Sequence, residues 1–334
     1  RHWGVVVPGP HEHLHLVVEP LGRHNCRRAA RMWQRPRMHQ IAHLLVANRG
    51  EIAIRVLRAA ADLGIRTTAV YTVDDATSRH TAHADVAVEL PGSGVGGYLD
   101  IEAIIAAATA NGVDAIHPGY GFLAENADLA RACAAAGITF VGPTPEVLGL
   151  FGDKVTARQT AAAAGLPILA GSPGPATVDE ARALLETHGA IMLKAVAGGG
   201  GRGMRAVRAA DELAPAWDRC VSEATKTFAR GDVYVEQLVL RARHIEVQIV
   251  GDGSAVTHLG ERDCSVQRRN QKVVEIAPAP NLPSEVRDQI CAAAVELGRS
   301  VSYSSVGTVE FLVNADDPAQ FWFIETNARI QVEH

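Results

Sequence analysis

A lysine followed by four consecutive glycines is the first feature of this 334-residue chain that could carry out chemistry. Lys194 ends an apolar run, and Arg202 follows the glycines. Consecutive glycines allow backbone N–H groups to approach phosphate oxygens closely, and the spacing matches neither a Walker loop nor a dinucleotide-binding loop. We therefore predict a phosphate-binding lid rather than the tip of a flexible hairpin. Its glycines are Gly198, Gly199, Gly200 and Gly201.

Two glutamates, Glu310 and Glu325, lie in apolar segments that a polar loop joins. If these segments pair as antiparallel strands, both carboxylates can lie on one face of the sheet. They would repel each other there unless a hard cation lay between them, and a magnesium ion bridging nucleotide phosphates is such a cation. We predict a magnesium site with Asn327 as a further oxygen ligand. Two solvent-facing carboxylates are the alternative.

Segments 267–272 and 327–334 are dense in cationic and amide side chains. A small planar anion such as bicarbonate needs bidentate donation from an arginine with a neighbouring lysine, and a carboxylate that removes its proton. Arg329, Lys272 and Glu333 fit these three roles. The alternative is a solvated basic face. Four apolar residues argue against that alternative, because we expect them to frame the site: Val273, Val274, Ile330 and Val332.

Lysine is scarce, since only four of the 32 basic residues are lysines. Three of them (Lys154, Lys194 and Lys272) fall in the motifs that could carry out chemistry. An ammonium group and a planar guanidinium do different work, so lysine is expected where arginine cannot serve. Coding bias with coincidental positions is the alternative.

The composition describes a soluble globular protein. Hydrophobic residues make up 47%, and the formal net charge of −5 gives no reason to expect nucleic acid or an anionic membrane as a partner. No apolar run approaches the roughly eighteen residues that a membrane span requires. The five cysteines are scattered, which favours a reducing compartment, and we predict a cytoplasmic location.

The elements that must position these residues fall into two groups. From residue 41 to 136, apolar strands alternate with helices, which predicts an α/β fold with a doubly wound parallel sheet. Segments 48–51 and 117–121 follow its strands and lie where such sheets bind ligands. From residue 191 the strands are longer and come in pairs, which indicates an antiparallel sheet in a second domain.

The predicted domains are 38–150 and 151–334, with the lid at about 170–240. Residues 1–37 are rich in arginine and poor in acidic residues, and we expect them to be unstructured sequence outside the folded domains. A transit peptide is one alternative. A metal site is the other, at His11, His13 and His15.

Several long motifs in this order resemble the biotin carboxylase component of acetyl-, propionyl- and pyruvate-type carboxylases, a family of ATP-grasp enzymes. The resemblance runs from residue 41 to 334 and implies an ATP-grasp domain with a small glycine-loop lid subdomain. Relatives continue beyond His334, so the resemblance also implies that the domain is incomplete at its C-terminal end. The motifs that carry it are 47–53, 117–126, 152–154, 194–204, 261–272 and 327–334.

The resemblance also assigns residues. It implies that Lys154 and Lys194 hold ATP phosphates beneath the glycine lid, and that Glu236 meets adenine. His244 and Gln267 would lie along the nucleotide. Gln331 and Val332 would join the bicarbonate site, and the acidic pair would hold magnesium, with manganese as the alternative ion.

The family reaction makes carboxyphosphate from ATP and bicarbonate, then transfers the carboxylate to biotin on a carrier protein or domain. The resemblance therefore implies a ligase that performs the first half-reaction of a carboxylase, such as acetyl-CoA carboxylase in fatty acid biosynthesis. A carboxyltransferase component and a second copy in a homodimer would be its partners. The alternatives are another bicarbonate-phosphorylating ligase, such as carbamoyl-phosphate synthetase, and a fragment that binds nucleotide with weak catalysis.

Overall fold

The computed structural model of the protein describes residues 41–196, 203–228, 230–268 and 271–333. Segment 1–37 and the four glycines of the predicted lid lie outside these ranges, so what we expect of them stays a prediction. Within the described residues, no helix is long and apolar enough to cross a membrane.

A parallel five-stranded sheet with the strand order β3-β2-β1-β4-β5 forms the first part of the fold. Helices pack on both faces, with one core cluster on each side, so the predicted doubly wound sheet is confirmed. The strands are β1 His43–Val46, β2 Arg66–Tyr71, β3 Val86–Glu89, β4 Ala115–His117 and β5 Thr139–Phe140. The helices are α1 Gly50–Asp62, α2 Gly94–Gly97, α3 Ile101–Ala110 and α4 Ala127–Ala135, with 3₁₀ turns at Val73–Asp75 and Thr81–His83.

The apolar pattern of these segments explains their positions. All four residues of β1 are buried, as expected for a strand covered by helices on both faces. Along α1, Ile52, Val56 and Ala60 recur at helical spacing and are buried against the sheet.

Two consecutive helices, α5 Pro145–Gly152 and α6 Lys154–Ala163, follow the parallel sheet. Thr144 caps the first by accepting a hydrogen bond from the Val147 N–H, and Asp153 caps the second in the same way from Thr156. The cap at Asp153 fixes Lys154 in the first turn of α6.

A three-stranded antiparallel sheet, which we call the lid sheet, carries the predicted phosphate lysine. Its apolar face packs on two helices, while Lys194 and Glu236 lie on its other face. The strands are β6 Ile191–Ala195, β7 Met204–Val207 and β8 Val233–Gln237, and the helices are α7 Val178–His188 and α8 Ala210–Phe228.

A five-stranded antiparallel sheet, which we call the large sheet, has the order β11-β10-β9-β12-β13. One face forms the largest apolar core with α5, α6 and a long helix, while alternate residues such as Glu246 and Glu310 lie on the opposite face. Together with the lid sheet it forms the predicted ATP-grasp architecture. Its elements are β9 Ala242–Asp252, β10 Val256–Arg268, β11 Gln271–Ile276, α9 Ser284–Ser300, β12 Ser304–Asn314 and β13 Phe321–Asn327.

Candidate active site

A row of charged residues crosses the polar face of the large sheet. Glu310 pairs in register with Glu325 on β13 and with Glu246 on β9. Glu246 in turn pairs with Arg262 on β10. Residues directly opposite each other in antiparallel strands share a face. Four strands therefore bring three carboxylates and one guanidinium to the same face, and the predicted pairing of Glu310 with Glu325 is what the structure has.

Lys272 reaches into this row from β11. Its Nζ contacts the Glu246 carboxylate and lies 3.0 Å from Glu310 Oε1 and 3.2 Å from Glu333 Oε1. Glu246 and Glu310 are buried, with 0% and 3% of their surface exposed. Buried charges are stable only when they are paired. The close ammonium contact thus explains how these carboxylates coexist, and the carboxylates hold the pKa of Lys272 above its ordinary value despite burial.

His244 adds a second cationic partner for Glu310. Its Nε2 lies 2.6 Å from Glu310 Oε2, and the Gln267 amide lies 2.7 Å from its Nδ1. Burial is the largest single influence and opposes the charge on the imidazole, but the hydrogen bond to Glu310 and the charge of Glu310 together outweigh it and raise the pKa of His244. Burial likewise opposes ionisation of Glu310, yet His244 and Lys272 together hold its pKa far below the ordinary range. The Glu310 carboxylate is therefore ionised at neutral pH.

The oxygen donors predicted for a metal lie side by side. Asn327 donates from Nδ2 to Glu310 Oε1 at 2.6 Å, and Glu325 lies opposite Glu310 with 44% of its side chain exposed. Lys154 Nζ is 3.7 Å from Glu325 Oε2. Two carboxylates and an amide oxygen on one face are the hard ligands that magnesium prefers, so the residues fit that ion.

Arg329 connects the end of β13 to the parallel-sheet half. Its Nη2 donates to Asn327 Oδ1 at 2.9 Å, and its Nε lies 3.0 Å from Glu125 Oε2. Gln331 Nε2 is 3.3 Å from Glu246 Oε2. The structure thus brings the predicted anion-binding residues Arg329, Gln331, Glu333 and Lys272 to the edge of the carboxylate row.

The predicted apolar frame around this site is wrong. Val273 and Val274 are 59% and 45% exposed, and Val332 is 61% exposed. β11 is the outermost strand on its side of the described sheet, so its valines are not covered as those of an inner strand are. Only Ile330 packs against apolar neighbours, beside the core under α1. The buried setting of the site therefore comes from paired charges and not from a wall of valines.

A second charged cluster lies on the polar face of the lid sheet. Lys194 contacts Glu236, and Arg158 Nη1 lies 3.1 Å from Glu236 Oε2. Burial disfavours the charge of Lys194, but Glu236 and Tyr234 together outweigh burial and keep the pKa of Lys194 raised, with a smaller contribution from Glu325. Lys154 and Arg158, one turn apart on α6, contact Glu325 and Glu236 respectively, so the lid cluster adjoins the row on the large sheet. The predicted contact of Glu236 with adenine stays a prediction.

Three residues of these clusters were missed from the sequence: Glu246, Arg262 and Arg158. For Glu246 a signal existed, because His244, Glu246 and Gln248 alternate with the apolar residues Ile245, Val247 and Ile249. Such alternation predicts a polar face. Arg158 gave no comparable signal, since it lies in an alanine-rich helix and its acidic partner is 78 residues away.

The fold and the site together define an ATP-grasp enzyme, with two antiparallel sheets whose polar faces carry lysines and carboxylates. Residues 40–148 match the family described as the biotin carboxylase N-terminal domain. Residues 153–334 match the family described as the carbamoyl-phosphate synthase L chain, ATP binding domain. The chain belongs to the biotin carboxylase family.

Curated relatives include pyruvate carboxylases. The protein from Bacillus subtilis is 53% identical over 300 residues, which cover 88% of this chain and 26% of that protein. The mitochondrial pyruvate carboxylase of Rattus norvegicus is 51% identical over 300 residues, which cover 88% of this chain and 25% of that protein. The chain therefore spans about a quarter of the length of these relatives.

Solved structures of similar fold include the biotin carboxylase domain dimer of Hydrogenobacter thermophilus 2-oxoglutarate carboxylase in complex with MgADP, ADP and bicarbonate. It has a TM-score of 0.85 and 46% identity, and the match covers 89% of this chain and 66% of that chain. The biotin carboxylase–β,γ-ATP complex from Campylobacter jejuni has a TM-score of 0.85 and 42% identity, with 88% and 67% covered.

Proposed function

We propose that the chain carries out the ATP- and magnesium-dependent carboxylation of biotin on a carrier protein, with bicarbonate as the carboxyl donor. A bicarbonate oxygen attacks the γ-phosphorus, ADP leaves and carboxyphosphate forms. The carboxyl group then passes to a ureido nitrogen of biotin, phosphate leaves, and the nitrogen loses its proton. This chemistry needs positioning and charge neutralisation more than covalent work by the protein.

One observation carries the proposal: Arg329, the predicted anion-binding arginine, adjoins the pair formed by Glu310 and Glu325. Arg329 donates to Asn327 at 2.9 Å, and Asn327 donates to Glu310 at 2.6 Å. An anion held by Arg329 would therefore lie next to the phosphate chain of a nucleotide whose metal Glu310 and Glu325 would hold. Adjacent sites for both reactants are what a direct phosphoryl transfer requires.

The lysines supply positive charge for the phosphates. Lys154 lies at the start of α6 with its Nζ 3.7 Å from Glu325 Oε2, and Lys194 contacts Glu236 on the lid sheet. A bound magnesium ion would neutralise charge that develops on the phosphate oxygens. His244, Gln267 and the glycines Gly198–Gly201 complete the proposed nucleotide site.

Glu333 is the proposed proton acceptor. Burial would raise its pKa, but backbone hydrogen bonding and the charge of Lys272 lower it, so the carboxylate is ionised. A carboxylate with a lowered pKa is a weak base while Lys272 stays beside it. We infer that Lys272 turns toward the bound bicarbonate, which it helps to hold, and thereby leaves Glu333 a stronger base.

ATP hydrolysis measured against bicarbonate and free biotin tests the proposal. We expect phosphate release that depends on bicarbonate and increases with biotin. Phosphate release that requires bicarbonate and ammonia but does not change with biotin would instead identify a carbamoyl-phosphate synthetase. Nucleotide binding in calorimetry without any phosphate release would identify a binding fragment with no turnover.

The wider system is also part of the proposal. A biotin carboxyl carrier and a carboxyltransferase component would act with this chain, and a second copy would form a homodimer, as in the dimeric neighbour. The pyruvate carboxylases among the relatives favour a 2-oxo acid as the final acceptor. An acyl-CoA acceptor, a role in fatty acid biosynthesis, manganese as the ion and a cytoplasmic location stay predictions from the sequence.

A further inference from the structure

The carboxylate of Glu236 is shared between two cations. One oxygen contacts Lys194, and the other lies 3.1 Å from Arg158 Nη1. All three side chains are nearly withdrawn from solvent, with exposed fractions of 3% for Glu236, 7% for Arg158 and 11% for Lys194. This cluster holds one more positive charge than negative charge.

The two cations differ in how firmly they are placed. Arg158 Nη2 donates to the Leu169 carbonyl oxygen at 2.8 Å, so its guanidinium is held from both sides. Lys194 ends on a single ammonium group at the end of β6, next to the predicted glycine lid. Of the two, Lys194 is the cation that can leave the carboxylate.

Such a departure has an electrostatic cost. A buried carboxylate that loses its last counter-ion is strongly destabilised. Glu236 does not face this cost while Arg158 stays in place, because one of its oxygens remains paired. Lys194 can then exchange a carboxylate for a phosphate oxygen at little cost.

We propose that Arg158 is a positioning residue for nucleotide binding: it keeps Glu236 neutralised, so that Lys194 is free to bind a nucleotide phosphate. This inference rests on the proposed nucleotide-binding function. The competing explanation is purely structural. The Gly171–Glu236 bridge and the Leu169 carbonyl place Arg158 where it could simply tie segment 169–171 to β8.

A double-mutant cycle separates the two explanations. MgADP affinity is measured by calorimetry for the wild-type chain, Arg158→Met, Glu236→Gln and the double variant. We expect Arg158→Met to weaken binding about tenfold, within the range of coupling for one ion-pair network. In the Glu236→Gln background, which has no carboxylate to hold Lys194, the same change should have almost no effect.

An equal loss in both backgrounds, or no loss in either, would overturn the inference. Arg182→Met, at an exposed arginine of α7, is the matched control and should bind as the wild-type chain does. Thermal unfolding of each variant reports the structural part of the effect. A wild-type chain that fails to bind MgADP would instead refute the proposed function.

Arg158→Lys keeps the inference testable if Arg158→Met does not fold. Lysine retains the positive charge but loses the fork that also reaches the Leu169 carbonyl. We expect it to bind MgADP nearly as the wild-type chain does, whereas a structural tie to Leu169 predicts a loss. The same cycle with Glu236→Gln can be completed with this variant.

Discussion

The lid sheet and the large sheet each carry a buried charged cluster, and the two clusters differ in their charge balance. In the lid cluster, Lys194 and Arg158 share one carboxylate. Around Lys272 on the large sheet, three carboxylates contact one ammonium group. Two further groups accompany these carboxylates, Arg262 on Glu246 and the titratable His244 on Glu310. The lid cluster therefore has an excess of positive charge, whereas the large-sheet cluster is balanced when His244 is protonated.

This difference indicates what each cluster can bind. A buried group with an unbalanced charge gains most from a ligand of the opposite charge, since the surroundings screen the interaction poorly. The lid cluster is therefore suited to an anion such as a phosphate oxygen, whereas the large sheet offers a metal cation the carboxylate of Glu325, whose side chain is 44% exposed. Lys154 and Arg158, one turn apart on α6, contact Glu325 and Glu236 respectively, so the proposed phosphate site would adjoin the proposed cation site.

The largest expected effect comes from Glu310→Gln, which removes the central carboxylate of the large-sheet cluster. Breaking a buried ion pair by removing one partner costs about 3–5 kcal/mol. We expect that loss in urea unfolding, together with loss of the magnesium-dependent part of ADP affinity. Glu186→Gln, at an exposed position of α7, is the control. Unchanged stability and an unchanged magnesium effect would contradict the central role of Glu310 in the large-sheet cluster.

Lys194→Met should have the next largest effect. It removes the lid-cluster cation that we infer can leave Glu236 for a phosphate. A hydrogen bond to a charged group contributes about 1.5–3 kcal/mol to the free energy of an interaction. We expect ADP to bind correspondingly more weakly in calorimetry, while the effect of magnesium on binding persists. Lys226→Met, at an exposed lysine of α8, is the matched control. An equal loss in both variants would contradict a specific phosphate contact.

Arg329→Lys tests the proposed bicarbonate contact at the edge of the large-sheet cluster. Lysine keeps the charge but cannot donate through a planar fork, so the bicarbonate contact should weaken by about tenfold. The measurement is the KM for bicarbonate in bicarbonate-dependent ATP hydrolysis, with the affinity for ADP unchanged. Arg131→Lys, an exposed replacement on α4, should leave both quantities alone. A loss confined to ADP affinity would place Arg329 on the nucleotide instead.

The pH dependence of stability should show the smallest effect, through His244. Its pKa in the folded chain is raised above the ordinary histidine value of 6.5. A raised pKa means that the charged imidazole stabilises the fold below that value and that this contribution is lost as pH rises through the folded pKa. Urea unfolding between about pH 6 and pH 9 should therefore show a decline for the wild-type chain relative to His244→Gln. Parallel curves would contradict the pairing with Glu310.

Much of the fold followed from local patterns. The strands and helices that alternate between residues 41 and 136, and the antiparallel strands from residue 191 onward, are present as predicted. The helices α2, α5, α6, α8 and α9 and the strands β5, β7, β10 and β11 were missed. α8 carries Pro215 within it, which argues against a helix from sequence alone. α9 has buried residues at helical spacing, so its signal was present and not used.

The sequence by itself determined the residue types, the alternation of polar and apolar positions along each strand, and the facing of Glu310 with Glu325, because a short loop joins their strands. Only the tertiary structure decided which distant charges meet. Lys272 and Glu333 are 61 residues apart, and Arg158 and Glu236 are 78 apart. Alternation states which face a side chain occupies but not which strand or helix lies beside it. The packing of the sheets and helices decides which groups lie beside each buried charge. It therefore also decides the charge of the ligand that each cluster can bind.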